Sequence, residues 1–325
     1  MRLSLATGFT GFAASVLAQP ETGASPRTQA HVAHPDLYTF TLPFGGGRVI
    51  GRVRHVIARQ KDTLYDIARR HDVGYWDIRL ANPNVDVWLP GAGTRVRIPT
   101  HYILPDTPHE GIVVNVPETR LYYYPPRKAG QAQQVITHPC GLGRQNWRTP
   151  LGVAKVVDKI PDPAWYPPAS IRAEHATQGD PLPAKVPPGP DNPLGKFALI
   201  LNLPGYLIHG TIKPDGVGAR VSHGCIRLYP EDIKALFAQV PRETPVRIVN
   251  QPYKAAWHDG QLLLEAQPLA GYSDGSRDLS LPMGYPALLH TVQGVLRGTG
   301  YTLDWTELAR LVRTYTGIPK PLPLV

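Results

Sequence analysis

The apolar residues between positions 52 and 100 change their spacing along the chain, which divides this stretch into four short elements. Short apolar runs at both ends predict strands, and apolar residues three or four positions apart in the middle predict helices. The predicted elements are a strand at 53–57, a helix at 63–70 with Asp62 as its N-cap, a helix at 75–81 stopped by Asn82 and Pro83, and a strand at 94–99. This region therefore predicts a compact unit with the order strand, helix, helix, strand.

The chain from about residue 110 to 250 contains many short apolar runs separated by turn residues. The 36 prolines and 31 glycines of the 325-residue chain favour turns and short strands over long helices. Strands are predicted at 111–116, 120–124, 135–137, 153–157, 197–203, 206–208 and 246–249, and one clear helix is predicted at 230–237. The expected fold class is mainly β with α/β parts.

A proline-rich stretch interrupts the predicted strands. Residues 160–193 lack any periodicity. A loop of that length inside a compact domain is usually functional, so we predict a lid or a wall of a substrate site.

The first 51 residues differ in character from the regions that follow. A basic start, a mostly apolar stretch and the small residue Ala18 predict a cleaved export signal at 1–18, with an uncleaved membrane anchor as the alternative. Residues 19–51 are polar and punctuated by Pro and Gly, which predicts a loosely ordered leader. The mature protein is therefore expected outside the cytoplasm.

Residues 266–325 are expected to form a separate small segment. A helix at 304–315 places four apolar residues on one face, namely Trp305, Leu308, Leu311 and Val312. We expect this segment to dock on the region before it.

The formal net charge of +9 permits nucleic acid, anionic lipid or an acidic polymer as partner. The Lys and Arg residues are scattered and no aromatic residues are interleaved with a basic run, which disfavours nucleic acid. A wall polymer that bears carboxylates fits this charge.

The two cysteines of the chain, Cys140 and Cys225, suggest one disulfide in an oxidising compartment before anything else. The sequence around Cys225 points instead to a nucleophile. The relevant runs are His209-Gly210-Thr211 and Val221-Ser222-His223-Gly224-Cys225-Ile226-Arg227-Leu228.

A cysteine nucleophile reacts as the thiolate and needs an imidazole nearby, either as an ion pair or as a base that takes its proton. His209 and His223 are the two candidates. Gly224 lets the backbone approach a substrate carbonyl closely, and the N–H groups of Gly224 and Cys225 are candidate oxyanion donors, each contributing about 3 kcal/mol. Zinc binding by the two histidines and Cys225 fits the ligand types, but the spacing matches no zinc pattern. No cofactor or metal is expected.

Both regions resemble known families. Residues 52–100 resemble a LysM domain, a family that binds glycans such as peptidoglycan, with a small α/β spacer as the alternative. The matching residues are Asp62-Thr63-Leu64, Ile67-Ala68, Asn82-Pro83, Leu89-Pro90-Gly91 and Ile98-Pro99. Residues 110–250 resemble the YkuD-type catalytic domain of L,D-transpeptidases, as found in periplasmic enzymes of Gram-negative bacteria. In addition to the two runs above, the matching segments are Gly141-Leu142-Gly143, Thr149-Pro150-Leu151-Gly152 and Asn192-Pro193-Leu194-Gly195.

The resemblance implies a β-sandwich-like mixed sheet and a role for each motif residue. Cys225 is the implied nucleophile, and His209 the base, oriented by the carbonyl of Gly210. The remaining motif residues are implied to shape the pocket and support its loop, namely Ser222, His223, Gly224 and Arg227.

The implied reaction cleaves the bond between meso-diaminopimelate and D-Ala in a tetrapeptide stem through a thioester. The acyl group then passes to a diaminopimelate amine or to a lysine of an outer-membrane lipoprotein. Two other functions remain open from the residues, namely a hydrolase at the same site and a wall-binding protein with a silent catalytic domain.

Cys140 departs from the family pattern, in which an aliphatic residue is common at this position near the cleft. One hypothesis is a reversible disulfide with Cys225 that switches the enzyme off. The alternative is a buried apolar cysteine that never reaches Cys225.

Overall fold

The computed structural model describes residues 35–42, 46–127, 129–144, 146–267, 285–313 and 316–325. The export signal predicted at 1–18 lies outside these residues. Within them, none of the helices has the length and apolar character needed to cross a membrane.

The described residues form short strands and six α-helices. The strands are β1 Thr39–Thr41, β2 Val49–Gly51, β3 Arg54–Ile57, β4 Arg95–Ile98, β5 His101–Ile103, β6 Gly111–Asn115, β7 Arg120–Tyr124, β8 Gln134–Pro139, β9 Leu142–Gly143, β10 Gly152–Pro161, β11 Phe197–Leu201, β12 Leu207–His209, β13 Arg220–Ser222, β14 Ile226–Arg227, β15 Pro245–Val249, β16 Tyr253–His258, β17 Gln261–Ala266 and β18 Lys320–Pro321. The helices are α1 Leu64–Arg70, α2 Tyr75–Ala81, α3 Ala169–Thr177, α4 Pro230–Gln239, α5 Tyr285–Leu296 and α6 Trp305–Arg313. The fold is mainly β, as the sequence predicts.

The N-terminal unit has the predicted order of strand, helix, helix and strand. Strands β3 and β4 pair antiparallel, and α1 and α2 pack over them around a small apolar core that includes Leu64, Ile67 and Ile78. The N-cap of α1 is Thr63 and not Asp62 as predicted. The hydroxyl of Thr63 accepts a hydrogen bond from the N–H of Asp66 at 3.1 Å, and the Asp66 carboxylate accepts one from the N–H of Thr63 at 2.9 Å. This reciprocal pair is a capping box, which a lone Asp62 cannot provide.

A nine-stranded mixed sheet forms the centre of the structure, in the order β1-β8-β7-β6-β15-β10-β11-β12-β14. Both of its faces are covered along β6 and β7. Ile112 and Val114 point into the main core on one face, while Val113 packs on the other face with Tyr122 and Tyr124. Burial on both faces explains why residues 111–116 are almost continuously apolar instead of alternating.

The region predicted as a loose leader is partly ordered, so that prediction is wrong for the described residues of 35–51. Strand β1 pairs with β8 at the edge of the large sheet, and β2 pairs with β5. The physical reason is an apolar set that ties this segment to the sheet, since Tyr38, Leu42 and Ile50 are buried in its two cores.

The proline-rich stretch at 160–193 is also more regular than predicted, because it contains α3. Its single buried residue, Ile171, gives too weak a periodic signal for prediction.

The C-terminal part is built on the hairpin of β16 and β17, to which β18 adds a third strand. Helices α5 and α6 pack on this small sheet around an apolar core. Leu308, Leu311 and Val312 are buried as predicted, but Trp305 is 52% exposed and does not belong to the apolar face.

The helical unit contacts the loop before β13, a strand of the two-stranded β9–β13 sheet. The N–H groups of Tyr75 and Trp76 donate to the carbonyls of Val217 and Gly218, in the loop that leads into β13. A Cβ added at Gly218 would lie 2.3 Å from the Cα of Gly74, so only glycine permits this approach. The helical unit is thereby attached to the segment that carries the candidate nucleophile.

Candidate active site

Cys225 lies in the short turn between β13 and β14. Strand β14 pairs parallel with β12, so that Ile226 lies opposite Ile208 and Arg227 opposite His209. Paired residues of neighbouring strands point to the same face, and every second residue along a strand returns to that face. Cys225 directly precedes β14 and therefore lies beside β12, the strand that ends in His209.

His209 is buried and held in one orientation. Its Nδ1 donates to the carbonyl oxygen of Gly210 at 2.6 Å, which leaves Nε2 as the basic nitrogen. Burial, and next the charge of Arg227, lower the pKa of His209 to about 3, although hydrogen bonds to backbone groups of Gly210 and Leu194 partly oppose this shift. The imidazole is therefore neutral near pH 7 and ready to accept a proton.

Cys225 is only partly buried, and its thiol donates to the carbonyl oxygen of Gly205 at 3.5 Å. Burial raises the pKa of this thiol, while the N–H of Leu207 and the charge of Arg227 act in the opposite direction. A protonated thiol and a neutral imidazole are thus favoured at rest. This favours a base that takes the thiol proton over a preformed ion pair.

Ser222 fixes the turn that carries Cys225. Its buried hydroxyl donates to the carbonyl of Cys225 at 2.7 Å and accepts from the N–H of Gly224 at 3.1 Å. The Gly224 N–H is therefore taken up, and it is not the free oxyanion donor that the sequence suggested. Among the described residues, the N–H of Cys225 has no hydrogen-bond acceptor, which leaves it as the candidate donor.

Gly224 has a φ of +110°, in the region that favours glycine. An added Cβ would lie 2.8 Å from the ring of Tyr206, so a larger residue would also displace this side chain.

The two motifs at 141–143 and 149–152 act as a support beneath this turn. Strand β9 pairs parallel with β13, which carries Ser222. The hydroxyl of Thr149 accepts from the N–H of Gly143 at 3.0 Å and donates to the carbonyl of Gly224 at 2.8 Å. A Cβ at Gly143 would lie 2.9 Å from the Cα of Gly224, which explains the glycine at position 143.

The motif at 192–195 supports His209 in a comparable way. Asn192 is fully buried, and its amide donates to the carbonyls of Pro163 and Pro187 at 2.9 and 3.0 Å. Its carbonyl oxygen accepts from the N–H of Leu194 at 2.9 Å. This turn packs against Gly210 and thus holds the strand end that presents His209.

The side chain of Arg227 affects the site mainly through its charge and less through hydrogen bonds. Its backbone pairs in both directions with Gly141 at 2.8 Å, while its Nε is buried and lacks a partner among the described residues. Burial lowers the pKa of Arg227, whereas the neighbouring Cys225 raises it. The guanidinium lies close enough to both Cys225 and His209 to affect the pKa of each.

His223 lies in a network that the sequence did not indicate. Its Nε2 is 3.0 Å from the carboxylate of Glu174 and 3.1 Å from the guanidinium of Arg144, and Trp147 packs edge-on against its ring. Glu174 on α3 also forms an ion pair with Arg144. Arg144 directly follows a recognised motif, but no local signal marks Glu174, because α3 lies some 50 residues before His223 and was not predicted.

Cys140 and Cys225 are both free thiols. Cys140 is fully buried in the main core, where burial raises the pKa of its thiol strongly. Cys140 therefore fits the alternative prediction of a buried apolar cysteine, and the disulfide switch has no support in this structure.

Family models match two regions of the chain. The model for the L,D-transpeptidase catalytic domain, YkuD, matches residues 109–248, and that for the LysM domain matches residues 57–99. The probable L,D-transpeptidase YcfS of Escherichia coli is 44% identical over 248 residues, which are 74% of this chain and 76% of that protein. The probable L,D-transpeptidase ErfK/SrfK of Salmonella typhimurium is 41% identical over 287 residues, 86% and 90% of the two chains.

The chain belongs to the L,D-transpeptidase family.

Solved structures of the family resemble this L,D-transpeptidase in part. The Ldtfm-avibactam carbamoyl enzyme covers 45% of this chain and 51% of its own, with 24% identity and a TM-score of 0.33. The family assignment rests on the sequence identity and the coverage of the two relatives named above. Both family resemblances drawn from the sequence are confirmed.

Proposed function

We propose that this L,D-transpeptidase acts on peptidoglycan by acyl transfer through Cys225. The observation that carries the proposal is the parallel pairing of β12 and β14, because β12 ends in the neutral His209 and Cys225 directly precedes β14. His209 takes the thiol proton while Cys225 Sγ attacks the carbonyl carbon at the L-centre of meso-diaminopimelate in a tetrapeptide stem. The carbonyl carbon–nitrogen bond to D-Ala breaks, its nitrogen receives the proton from His209, and a thioester remains.

An amine of a second molecule then attacks the thioester and restores the thiol. A diaminopimelate on a neighbouring stem gives a cross-link, and a lysine of an outer-membrane lipoprotein gives an anchor. The oxyanion of each tetrahedral intermediate is assigned to the N–H of Cys225, whose position is set by Ser222, Gly224 and Thr149. One well-placed donor of this kind lowers the barrier by about 3 kcal/mol.

The domain division supports a wall enzyme that works outside the cytoplasm. We assign residues 1–18 to the export signal, 52–100 to the LysM domain, 110–250 to the catalytic domain and 266–325 to a C-terminal segment. The LysM domain would hold the glycan strand while the catalytic domain acts on its stems. The periplasm is the compartment that fits this substrate and the resemblance to Gram-negative enzymes.

The intact mass of the mature, reduced protein tests the acyl-enzyme. After incubation with a disaccharide-tetrapeptide or a carbapenem, we expect one covalent adduct on the wild type and none on Cys225→Ala. Cys140→Ala is the matched control and should form the same adduct, since Cys140 is buried in the core. Absence of an adduct from protein whose Cys225 thiol is free would favour a silent wall-binding protein instead.

A hydrolase at the same site is the second candidate, and the network around His223 bears on it. Glu174 ties α3 to Arg144 and to His223, which lies in the catalytic turn two residues before Cys225. We assign this proline-rich segment the role of a lid that limits the access of water to the thioester. Release of this contact should then favour hydrolysis over transfer.

Glu174→Gln keeps the size of the side chain but removes its charge. We expect the ratio of hydrolysed stem to transfer product to rise several-fold, because charge-assisted hydrogen bonds to Arg144 and His223 become weaker. Mass spectrometry of the products from tetrapeptide and an amine acceptor measures this ratio. Asp180→Asn removes an exposed carboxylate that pairs with His175 nearby and should leave the ratio unchanged. An unaltered ratio in Glu174→Gln would contradict the lid.

A further inference from the structure

Three side chains from distant parts of the chain meet at a buried point between the LysM domain and the large sheet. Asp72 comes from the turn between α1 and α2, His138 from β8 and Asp232 from the first turn of α4. His138 is fully buried, and the two aspartates are 7% and 3% exposed. None of the three takes part in the chemistry assigned to Cys225.

The three side chains hold their potential metal-ligand atoms close to one another. Nδ1 of His138 lies 3.1 Å from Oδ2 of Asp72 and 3.5 Å from Oδ1 of Asp232. One ligand atom from each residue lies within 4.8 Å of the other two. Zinc binds imidazole nitrogen and carboxylate oxygen at about 2.0–2.2 Å in a tetrahedron, which separates neighbouring ligand atoms by roughly 3.3–3.6 Å. The two measured separations lie close to this range.

Unpartnered oxygen atoms provide a second, independent observation. Oδ1 of Asp72 and Oδ2 of Asp232 are both buried and have no hydrogen-bond partner among the described residues. A buried carboxylate oxygen without a partner costs considerable free energy, so native structures rarely leave one unpaired. Coordination of a cation through the second carboxylate oxygen would satisfy either atom.

Among the described residues, neither aspartate forms an ion pair with a lysine or an arginine. Arg120, which lies nearby, is already paired with Asp77 at 3.0 Å. Arg69, at the same domain junction, donates to both carboxylate oxygens of Glu231 at 2.7 and 2.9 Å. Each neighbouring guanidinium therefore has its own carboxylate.

The remaining groups around the cluster do not supply positive charge either. Tyr38 packs against the His138 ring at 4.7 Å, and the pKa of this tyrosine is raised by burial and then by the two aspartates. The hydroxyl of Tyr229 donates to the carbonyl of Val73 at 3.3 Å. Among these groups, the His138 imidazole is the one that contacts both aspartates.

We propose that Asp72, His138 and Asp232 bind one zinc ion that joins the LysM domain to the catalytic domain. The imidazole and two carboxylates suit zinc, and the second oxygen of one aspartate completes four-coordination. Because one ligand belongs to the LysM domain and two to the catalytic domain, the ion fixes how the glycan-binding unit faces the sheet. Binding couples to the stability of the junction, since the ligands are brought together only in the folded chain.

Zinc retention by the untagged, full mature chain tests the site. All proteins carry Cys225→Ala, because the thiolate and His209 offer a competing zinc site. After loading with zinc and dialysis, we expect about one ion per chain by elemental mass spectrometry. The thermal unfolding midpoint should be several degrees higher than that of chelator-stripped protein, since a ligand that binds only the folded state stabilises it.

Two shape-preserving variants identify the ligands. Asp232→Asn and His138→Gln should each retain less than about a tenth of an ion per chain, given the large affinity loss expected when a metal ligand is removed. His175→Gln alters an exposed histidine–aspartate pair and should retain the full ion. Equal retention by Asp232→Asn, or no retention by the parent protein, overturns the proposal. If a variant fails to fold, the test rests on the Cys225→Ala parent protein. Equal thermal unfolding midpoints for its zinc-loaded and chelator-stripped forms would then overturn the proposal.

Discussion

His209→Asn is expected to slow acylation of Cys225 by about 100- to 10,000-fold, the usual contribution of a positioned general base. Asparagine can still donate to the carbonyl of Gly210, as Nδ1 of His209 does at 2.6 Å, but it has no group in place of the basic Nε2. The measurement is the rate of adduct formation with a carbapenem, followed by intact mass. Retained secondary structure, checked by circular dichroism, separates this effect from misfolding.

The pH profile distinguishes loss of a base from loss of structure. In the wild type, His209 with a pKa of about 3 is neutral throughout pH 5–8, so the supply of base should not limit acylation in this window. Without the His209 imidazole, Cys225 can react only as the thiolate, and burial raises the pKa of this thiol. The rate of His209→Asn should therefore climb about tenfold per pH unit across this range, as the thiolate fraction does below its pKa. His175→Asn, which alters a partly exposed histidine of α3, should keep the wild-type profile. Equal rates and profiles for His209→Asn and wild type would exclude His209 as the base.

Lys254→Met is expected to lower the free energy of unfolding by about 3–5 kcal/mol, as is typical when one partner of a buried ion pair is removed. Lys254 is buried between Glu118 and Glu265, and its ammonium also donates to the carbonyl of Ile103. The substitution leaves both acidic side chains in the interior without a cation. Burial raises the pKa of Glu265 to about 8 even beside Lys254, so this carboxyl is already largely protonated at pH 7, which limits the loss.

Urea unfolding at pH 7 measures this loss, and the chain offers a matched control. Lys155 pairs with Glu243 on the surface, where both side chains are largely accessible to water. Lys155→Met should change the free energy of unfolding by less than about 1 kcal/mol, because solvent screens such pairs. Equal effects for the two lysines would show that the buried cluster does not stabilise the junction of β7, β16 and β17.

The sequence predicted the elements best where a local pattern repeats. The two LysM helices, the strands around residues 111–124 and the helix α4 follow from the spacing of apolar residues. The signal was weaker where few residues are buried, as in α3 with Ile171 alone, or where a short strand depends on its partner, as in β1 on β8. The hairpin of β16 and β17 was also missed, since its strands are stabilised by pairing and not by a local preference.

The motif around Cys225 identified the candidate nucleophile but not the hydrogen bonds of its turn. Ser222, Gly224 and Cys225 are adjacent in the sequence, and only the turn geometry shows that Ser222 uses the Gly224 N–H. Likewise, Thr149 was part of a recognised motif, but its bond to Gly224 spans 75 residues. The role of each supporting residue therefore had to be read from the structure.

The sequence by itself determined the family, the mainly β class, the LysM unit and the position of the candidate nucleophile, because these depend on short motifs and local periodicity. The tertiary structure decided which distant groups meet: Glu174 with His223, Lys254 with Glu118, and Asp72 with His138 and Asp232. It also decided that His209 is neutral, since burial within the packed strands sets its pKa. The contact of Glu174 with His223 joins residues 49 positions apart, and that of Lys254 with Glu118 joins residues 136 positions apart. No local pattern specifies a partner at such a distance. Such contacts arise only when packing of the sheet brings separate elements together and removes water from between them.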